Sequence, residues 1–345
     1  MILRAKKLNF LLKDLYRISK LIGANPMLAQ GAGGNTSLKI GSKLFVKASG
    51  FWLEHADRAN IFASLDLAKV RNLIDANSDK GIERCMTDVS SHLQPSIETT
   101  LHALLPQSAI LHCHSVRVLA FATRTDATLL FRGLLDGLNW AIVPYCRPGL
   151  PLTLAVREIL RKKVPDILIL ANHGLVIAAE NFAVAEVLLN EVEQRLDSPL
   201  RNFITPKFDV LLAISANSKY RLPIYDISHT LATCPISERF AMGGSLYPDH
   251  VVFLGRGVYC INTDCEQTSV PFADVLPPLI LVSGCGVLVR TDISANAEEM
   301  VRALALVVGR IPDGAPMRYL NPYEESDILG WDAEEYRKSF EINNR

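Results

Sequence analysis

AILHCHS, residues 109–115, and DILILANHGLVIAA, residues 166–179, are the two stretches on which the architecture turns. In an extended strand successive side chains alternate between faces, so Ile110, His112 and His114 point one way while Leu111 and Cys113 point the other. The second stretch reads as strand, tight turn, strand, with Asn172-His173-Gly174 at the turn. Upstream of the first, QPSIETTLHALLP (Gln94–Pro106) predicts a helix from near Ser96, with an apolar stripe of Ile97, Leu101, Leu104 and Leu105 and a stop at Pro106. Glu98 and His102, four apart, share a different face of it.

Working outward, GAGGNTSLKIGSKLFVKASG (Gly31–Gly50) holds two strand-like runs, SLKI and KLFVKA, joined by Gly41-Ser42, a turn suited to a hairpin. Before it, Leu11, Leu12, Leu15, Ile18, Leu21 and Ile22 fall at helical spacing within a predicted helix from Leu8 to Ile22. Ser64 to Gly81 is polar and reads as helix or loop. Trp140 to Leu154 reads as a Pro/Gly-punctuated loop, followed by helices at Thr153–Lys163 and Phe182–Leu196. The pattern breaks at Asp197-Ser198-Pro199, the expected boundary between residues 1–200 and 201–345. Beyond it, short apolar runs (VVFLG, LILVSG, VLV) and a late helix, Ala295–Val308, predict a smaller α+β unit.

The 345 residues carry 36 Lys plus Arg against 36 Asp plus Glu, a net charge of zero, which argues against a phosphate-backbone partner such as nucleic acid. Apolar residues make up 49%, enough for a buried core. Lys6, Lys7, Lys13, Asp14, Arg17 and Lys20 interrupt the first apolar stretch, so it is read as neither an export signal nor a membrane span. Seven cysteines without a C-x-x-C pair suit reduced thiols and a cytoplasmic chain.

Two imidazoles at H-x-H on one strand face, about 6.5–7 Å apart at the backbone, can reach one tetrahedral metal. His173, in a turn, is placed to be a third ligand. Zinc suits three neutral imidazoles, and Mn2+, Co2+ or Fe2+ would accept the same donors. The pattern alone leaves open that these are ordinary core histidines. GAGGN is not G-x-G-x-x-G and precedes strand-like residues, so a dinucleotide fold is not expected. Asp249-His250 in YPDH reads as structural, His102 as a packing residue, and Lys39, Lys43 and Lys47 as a solvated face, with Lys47 beside the glycine-rich loop.

Together GGNTS (Gly33–Ser37), KASG (Lys47–Gly50), PSIE (Pro95–Glu98), HCHS (His112–Ser115) and ANHGLV (Ala171–Val176) resemble the class II aldolase/adducin family over roughly residues 8–200. VPYCRPG, GSLYPDHVVF (Gly244–Phe253) and WDAEEYR (Trp331–Arg337) look like the aldolase half of bacterial bifunctional rhamnulose-1-phosphate aldolase/alcohol dehydrogenases; the dehydrogenase half has no counterpart here. The resemblance implies a three-layer α/β/α domain with a mostly antiparallel central sheet. It implies a metal-dependent lyase of carbohydrate metabolism that cleaves a ketose or ketose phosphate through a metal-stabilised enediolate, in a homo-oligomer. By position, His112, His114 and His173 match the metal ligands, Glu98 the acid/base, and Gly34, Asn35, Ser49, Gly50 and Ser96 the phosphate cradle.

Two departures matter. Ile97 replaces a serine of the fuculose-phosphate aldolases' phosphate segment. The stretch that supplies their second proton donor is compressed, leaving Tyr145 and Arg147 as stand-ins. Dehydratases and epimerases of the family share the ligand set, and adducin-like interaction modules share the fold without the ligands.

Overall fold

The computed structural model describes residues 2–88, 90–202, 204–216, 218–262 and 276–330. Seven strands form the main sheet: β1 (Asn35–Ile40), β2 (Lys43–Lys47), β3 (Phe62–Asp66), β4 (Ala109–Cys113), β5 (Trp140–Val143), β6 (Ile167–Leu170) and β7 (Gly174–Ala179). Their order is β3-β2-β1-β4-β7-β6-β5, and every pair is antiparallel except β5 with β6. The mostly antiparallel sheet expected from the sequence is therefore present.

Period-two alternation builds the layers. On one side, Leu111, Cys113, Ile167, Ile169, Leu175 and Ile177 pack with the helices Ile2–Gly23 and Phe182–Arg195. On the other, Ile110, Leu168, Leu170 and Val176 pack with the helices Thr99–Leu104 and Leu150–Leu160. Each fully buried Leu or Ile is worth about 1.5–3 kcal/mol, so the two faces fix which way β4 presents its histidines. His112 shares the Ile110 face, under the helix that carries Glu98 at its N-cap.

A second, four-stranded sheet is ordered β8-β11-β10-β9, from Tyr220–Arg221, Gly286–Arg290, Leu279–Val282 and Tyr259–Ile261. The helix Ala295–Val308 buries Met300, Val301 and Leu304 in its core. That core is continuous with the first unit: Val116, Leu119 and Ala120, on the helix that directly follows the H-x-H strand, belong to the same cluster. Backbone bonds reinforce the junction, with Arg318 N–H donating to Thr123 O (2.8 Å) and Thr125 N–H to Pro316 O (2.9 Å).

Two strands of the main sheet escape the sequence pattern, as do β8 and β9 of the second. β3 overlaps the start of the stretch read as helix or loop, and β5 lies where a loop is expected. Both are short edge strands, four or five residues long, where the alternation is too brief to register. VVFLG belongs to a buried helix, Pro248–Leu254. WDAEEYR lies outside the described residues.

Gly174, with φ 155°, shows how tightly the site is assembled: a Cβ there would run into the Cys113 backbone carbonyl. Gly174→Ala should therefore lower the unfolding free energy by about 2–4 kcal/mol, combining overpacking with backbone strain. Urea unfolding measures it; a change within about 0.5 kcal/mol, as for an unremarkable surface substitution, would show that the turn relaxes freely.

Candidate metal centre

The β1–β4 register sets Asn35 opposite His112, and the β4–β7 register sets His112 opposite Val176 and Cys113 opposite Leu175. His114 follows β4 directly, and His173 sits on the β6–β7 turn with Asn172 at φ 52°. These placements bring three imidazoles from two segments to one point: one nitrogen from each lies within 4.8 Å of the others, and all three residues are buried. Ring centroids are 5.0, 4.9 and 5.3 Å apart.

Orientation follows from the outer nitrogens. His112 Nδ1–H donates to Leu175 O at 3.0 Å, which leaves Nε2 as the lone pair. His114 Nδ1 faces a carboxylate oxygen of Asp249 at 3.0 Å. The Nε2 atoms of His112 and His114 then confront each other at 3.2 Å. Two lone pairs at that distance repel unless a cation lies between them. A tetrahedral ion with Zn–N bonds near 2.05 Å separates its ligand nitrogens by about 3.3 Å, so the donor set fits such a metal.

Glu98 closes the cluster from the helix side, its carboxylate oxygens 3.2 Å from His112 Nε2 and 3.6 Å from His173 Nε2. Asn35 Nδ2 donates to it at 2.8 Å. Burial lifts the Glu98 pKa, but the neighbouring His112 and His173 rings and the Asn35 bond outweigh that and hold it below the ordinary carboxylate range. Burial lowers the pKa of His112, and that of His173 to about 3. At neutral pH these two rings are neutral, with lone pairs free to bind a cation.

Above the cluster lies a small polar cleft, partly open to solvent. Gly34, Asn35, Ser49, Gly50, Ser96, Glu98, His114 and His173 all line it, so the predicted cradle shares one space with two of the three histidines. Ser96 Oγ accepts from Asn35 Nδ2 (3.2 Å) and Glu98 N–H (3.3 Å), tying cradle to carboxylate. Gly34 takes φ 66°, and a Cβ on it would stand 2.8 Å from His112 O.

Tyr145 does not line the cleft. It packs against the C-terminal core with the Arg318 guanidinium 4.9 Å over its ring, and burial raises its pKa, with Glu324 adding to the rise. Arg147 pairs with Asp327 at 3.0 Å. Neither stand-in is placed to donate a proton at the cluster. Lys47, read as part of a solvated face, is instead 2% exposed; it lines the cleft, and Nζ donates to Ala32 O and Phe51 O at 2.7 Å each. His102 packs as expected, its Nδ1 2.6 Å from Ser37 Oγ.

The residue missed altogether is Asp249, assigned a structural part by sequence but found against His114. Its partner stands 135 positions away, and no local spacing links the two. Only the H-x-H signal and a carboxylate in a second apolar-rich unit were visible.

The chain is 31% identical over 193 residues to the "Uncharacterized oxidoreductase YuxG" of Bacillus subtilis, a match covering 51% of this chain and 28% of that protein. It thus spans just over a quarter of that relative's length. It is 26% identical over 184 residues to the L-fuculose phosphate aldolase of Methanocaldococcus jannaschii, covering 51% of this chain and 89% of that one. Among solved structures, the N-terminal class II aldolase domain of a conserved Thermoplasma acidophilum protein aligns with TM-score 0.46 and 27% identity, over 53% of this chain and 90% of that one. Residues 13–197, more than half of the chain, match the Class II Aldolase and Adducin N-terminal domain, and with its histidines and carboxylate gathered at one cleft the chain belongs to the class II aldolase and adducin family.

Proposed function

We propose that the protein is a divalent-metal-dependent lyase that cleaves a ketose or ketose phosphate by retro-aldol chemistry, with zinc as the natural ion for its imidazole set. The observation that carries this reading is the meeting of three imidazole nitrogens and one anionic carboxylate at the foot of a polar cleft. When bound, the cation supplies Lewis-acid stabilisation of the negative charge that develops on substrate oxygen as the C3–C4 bond breaks.

The chain's own residues handle the proton and the anion. Cleavage frees one proton as the C4 hydroxyl becomes an aldehyde, and it consumes one at C3. Glu98 enters ionised, so it must gain a proton before it can deliver one to C3, and the C4 hydroxyl balances that transfer. Asn35 holds the carboxylate in place throughout. Along the same cleft, Gly34 and Gly50 let a phosphate approach the backbone closely, Ser49 and Ser96 offer small hydroxyls to it, and Lys47 lines the space beside them.

Six described cysteines, none in a disulfide, suit a reducing cytoplasm. The family resemblance is the support for a homo-oligomer. Among the described residues no helix is long and apolar enough to cross a membrane.

Incubating metal-loaded protein with ketoses and ketose 1-phosphates should release an aldehyde, read by coupled reduction, with the phosphorylated substrates turned over faster. Loss of water without aldehyde would replace the lyase reading by a dehydratase. Native protein that purifies without metal and turns over no substrate after metal is added would favour an interaction module.

A further inference from the structure

The C-terminal unit reaches the glycine-rich loop, the turn that carries His173, and His114 itself. Asn296 Oδ1 accepts from Ala32 N–H at 2.8 Å, at the glycine-rich loop. The Asn172 side chain, one residue before His173, donates to Leu246 O (2.9 Å) and Arg318 O (2.8 Å) and accepts from Arg318 Nη1 (3.0 Å). Asp249, on the buried helix Pro248–Leu254, meets His114 Nδ1 at 3.0 Å while lining the same cleft.

We propose that Asp249 is a positioning residue of the metal centre, supplied by the C-terminal unit of the same chain. Its carboxylate fixes the tautomer and ring angle of His114, aiming Nε2 at His112 and at the cation. The side matters: Asp249 touches Nδ1 and the lone pair that faces the other ligands is on Nε2, so the carboxylate acts through the ring. Carboxylate–imidazole–metal relays of this kind raise the basicity of the ligand and hold its orientation. Gly33 belongs to the device, because a Cβ on it would lie 2.8 Å from His114 Nδ1 and 3.0 Å from the Asp249 oxygen, wedging the pair apart. The second unit is therefore a structural component of the centre, which gives physical content to residues that carry none of the family's own ligands.

The proposal rests on the metal reading above but is tested without substrate. Full-length wild type, Asp249→Ala, Asp249→Asn and Gly33→Ala are stripped of metal and titrated with Co2+, following affinity by dialysis and ligand geometry by the visible absorption bands. Asp249→Ala should weaken binding by about 10–100-fold and shift the bands. Asp249→Asn, which keeps an acceptor for Nδ1–H, should lose less, and Gly33→Ala should reproduce the band shift with Asp249 intact. Wild-type affinity and spectrum in Asp249→Ala would overturn the proposal. So would a loss confined to the melting temperature of the stripped protein with the Co2+ spectrum unchanged, which is the mark of packing alone. Failure of wild type itself to bind Co2+ would instead remove the metal reading.

Discussion

Glu98→Gln is expected to cut turnover by about 10²–10⁴-fold while about one metal ion per chain stays bound, since that is the range a positioned general acid/base contributes. The substitution is close to isosteric and keeps an oxygen to accept the 2.8 Å bond from Asn35 Nδ2. What it removes is the capacity to take and return a proton. The three imidazoles and their outer partners, Leu175 O and Asp249, are untouched, so the ligand geometry survives. The Glu98 carboxylate can take a proton and give it back; a carboxamide cannot do so at any pH between 5 and 9. Metal analysis and steady-state assay of the same preparation decide the matter. Full activity would dismiss Glu98 as the proton carrier. Loss of metal together with activity would make it a ligand first.

The sequence made the histidine cluster legible because its members obey local rules. H-x-H on a strand and a histidine in a turn between two strands are short-range patterns, and the flanking apolar runs of Ile110, Leu168, Leu170 and Val176 are long enough to declare the sheet that joins them. The helix bearing Glu98 declared itself through Leu101, Leu105 and Pro106. Part of what stayed hidden depends on chain crossings of more than a hundred residues. Asp249 and Asn296 face the centre only because the second unit's core is continuous with Val116, Leu119 and Ala120. Tyr145 is drawn into that same core by Arg318, although its sequence neighbourhood matches a segment expected to face substrate. Lys47 lies one side-chain alternation away from solvent on a half-polar hairpin, and two backbone carbonyls that no sequence pattern announces draw it inward. β3 and β5 were hidden for a different reason, brevity at the sheet edges.

His112→Ala should abolish metal retention, from about one ion per chain to none, a loss beyond the 10–100-fold that outer partners command. His112 is the hub of the cluster: its Nε2 stands 3.2 Å from both His114 Nε2 and the Glu98 carboxylate, and its own Nδ1 is fixed by Leu175 O. Removing it leaves His114 and His173 with ring centroids 5.3 Å apart and a fully buried vacancy between them. Metal linkage provides a readout independent of catalysis. For a ligand at a hundred times its Kd, binding stabilises the folded chain by about 2.7 kcal/mol. With an unfolding entropy of about 2.1 cal/mol/K per residue, that is roughly 4 °C in Tm for a chain of this length. Wild type should show this rise on adding Zn2+ to stripped protein, and His112→Ala should show none at the same concentration. An undiminished Tm rise with full metal content in the variant would place the ion elsewhere and take the aldolase chemistry with it, because Glu98 and the cradle are aligned on His112 through Asn35 and the β1–β4 register.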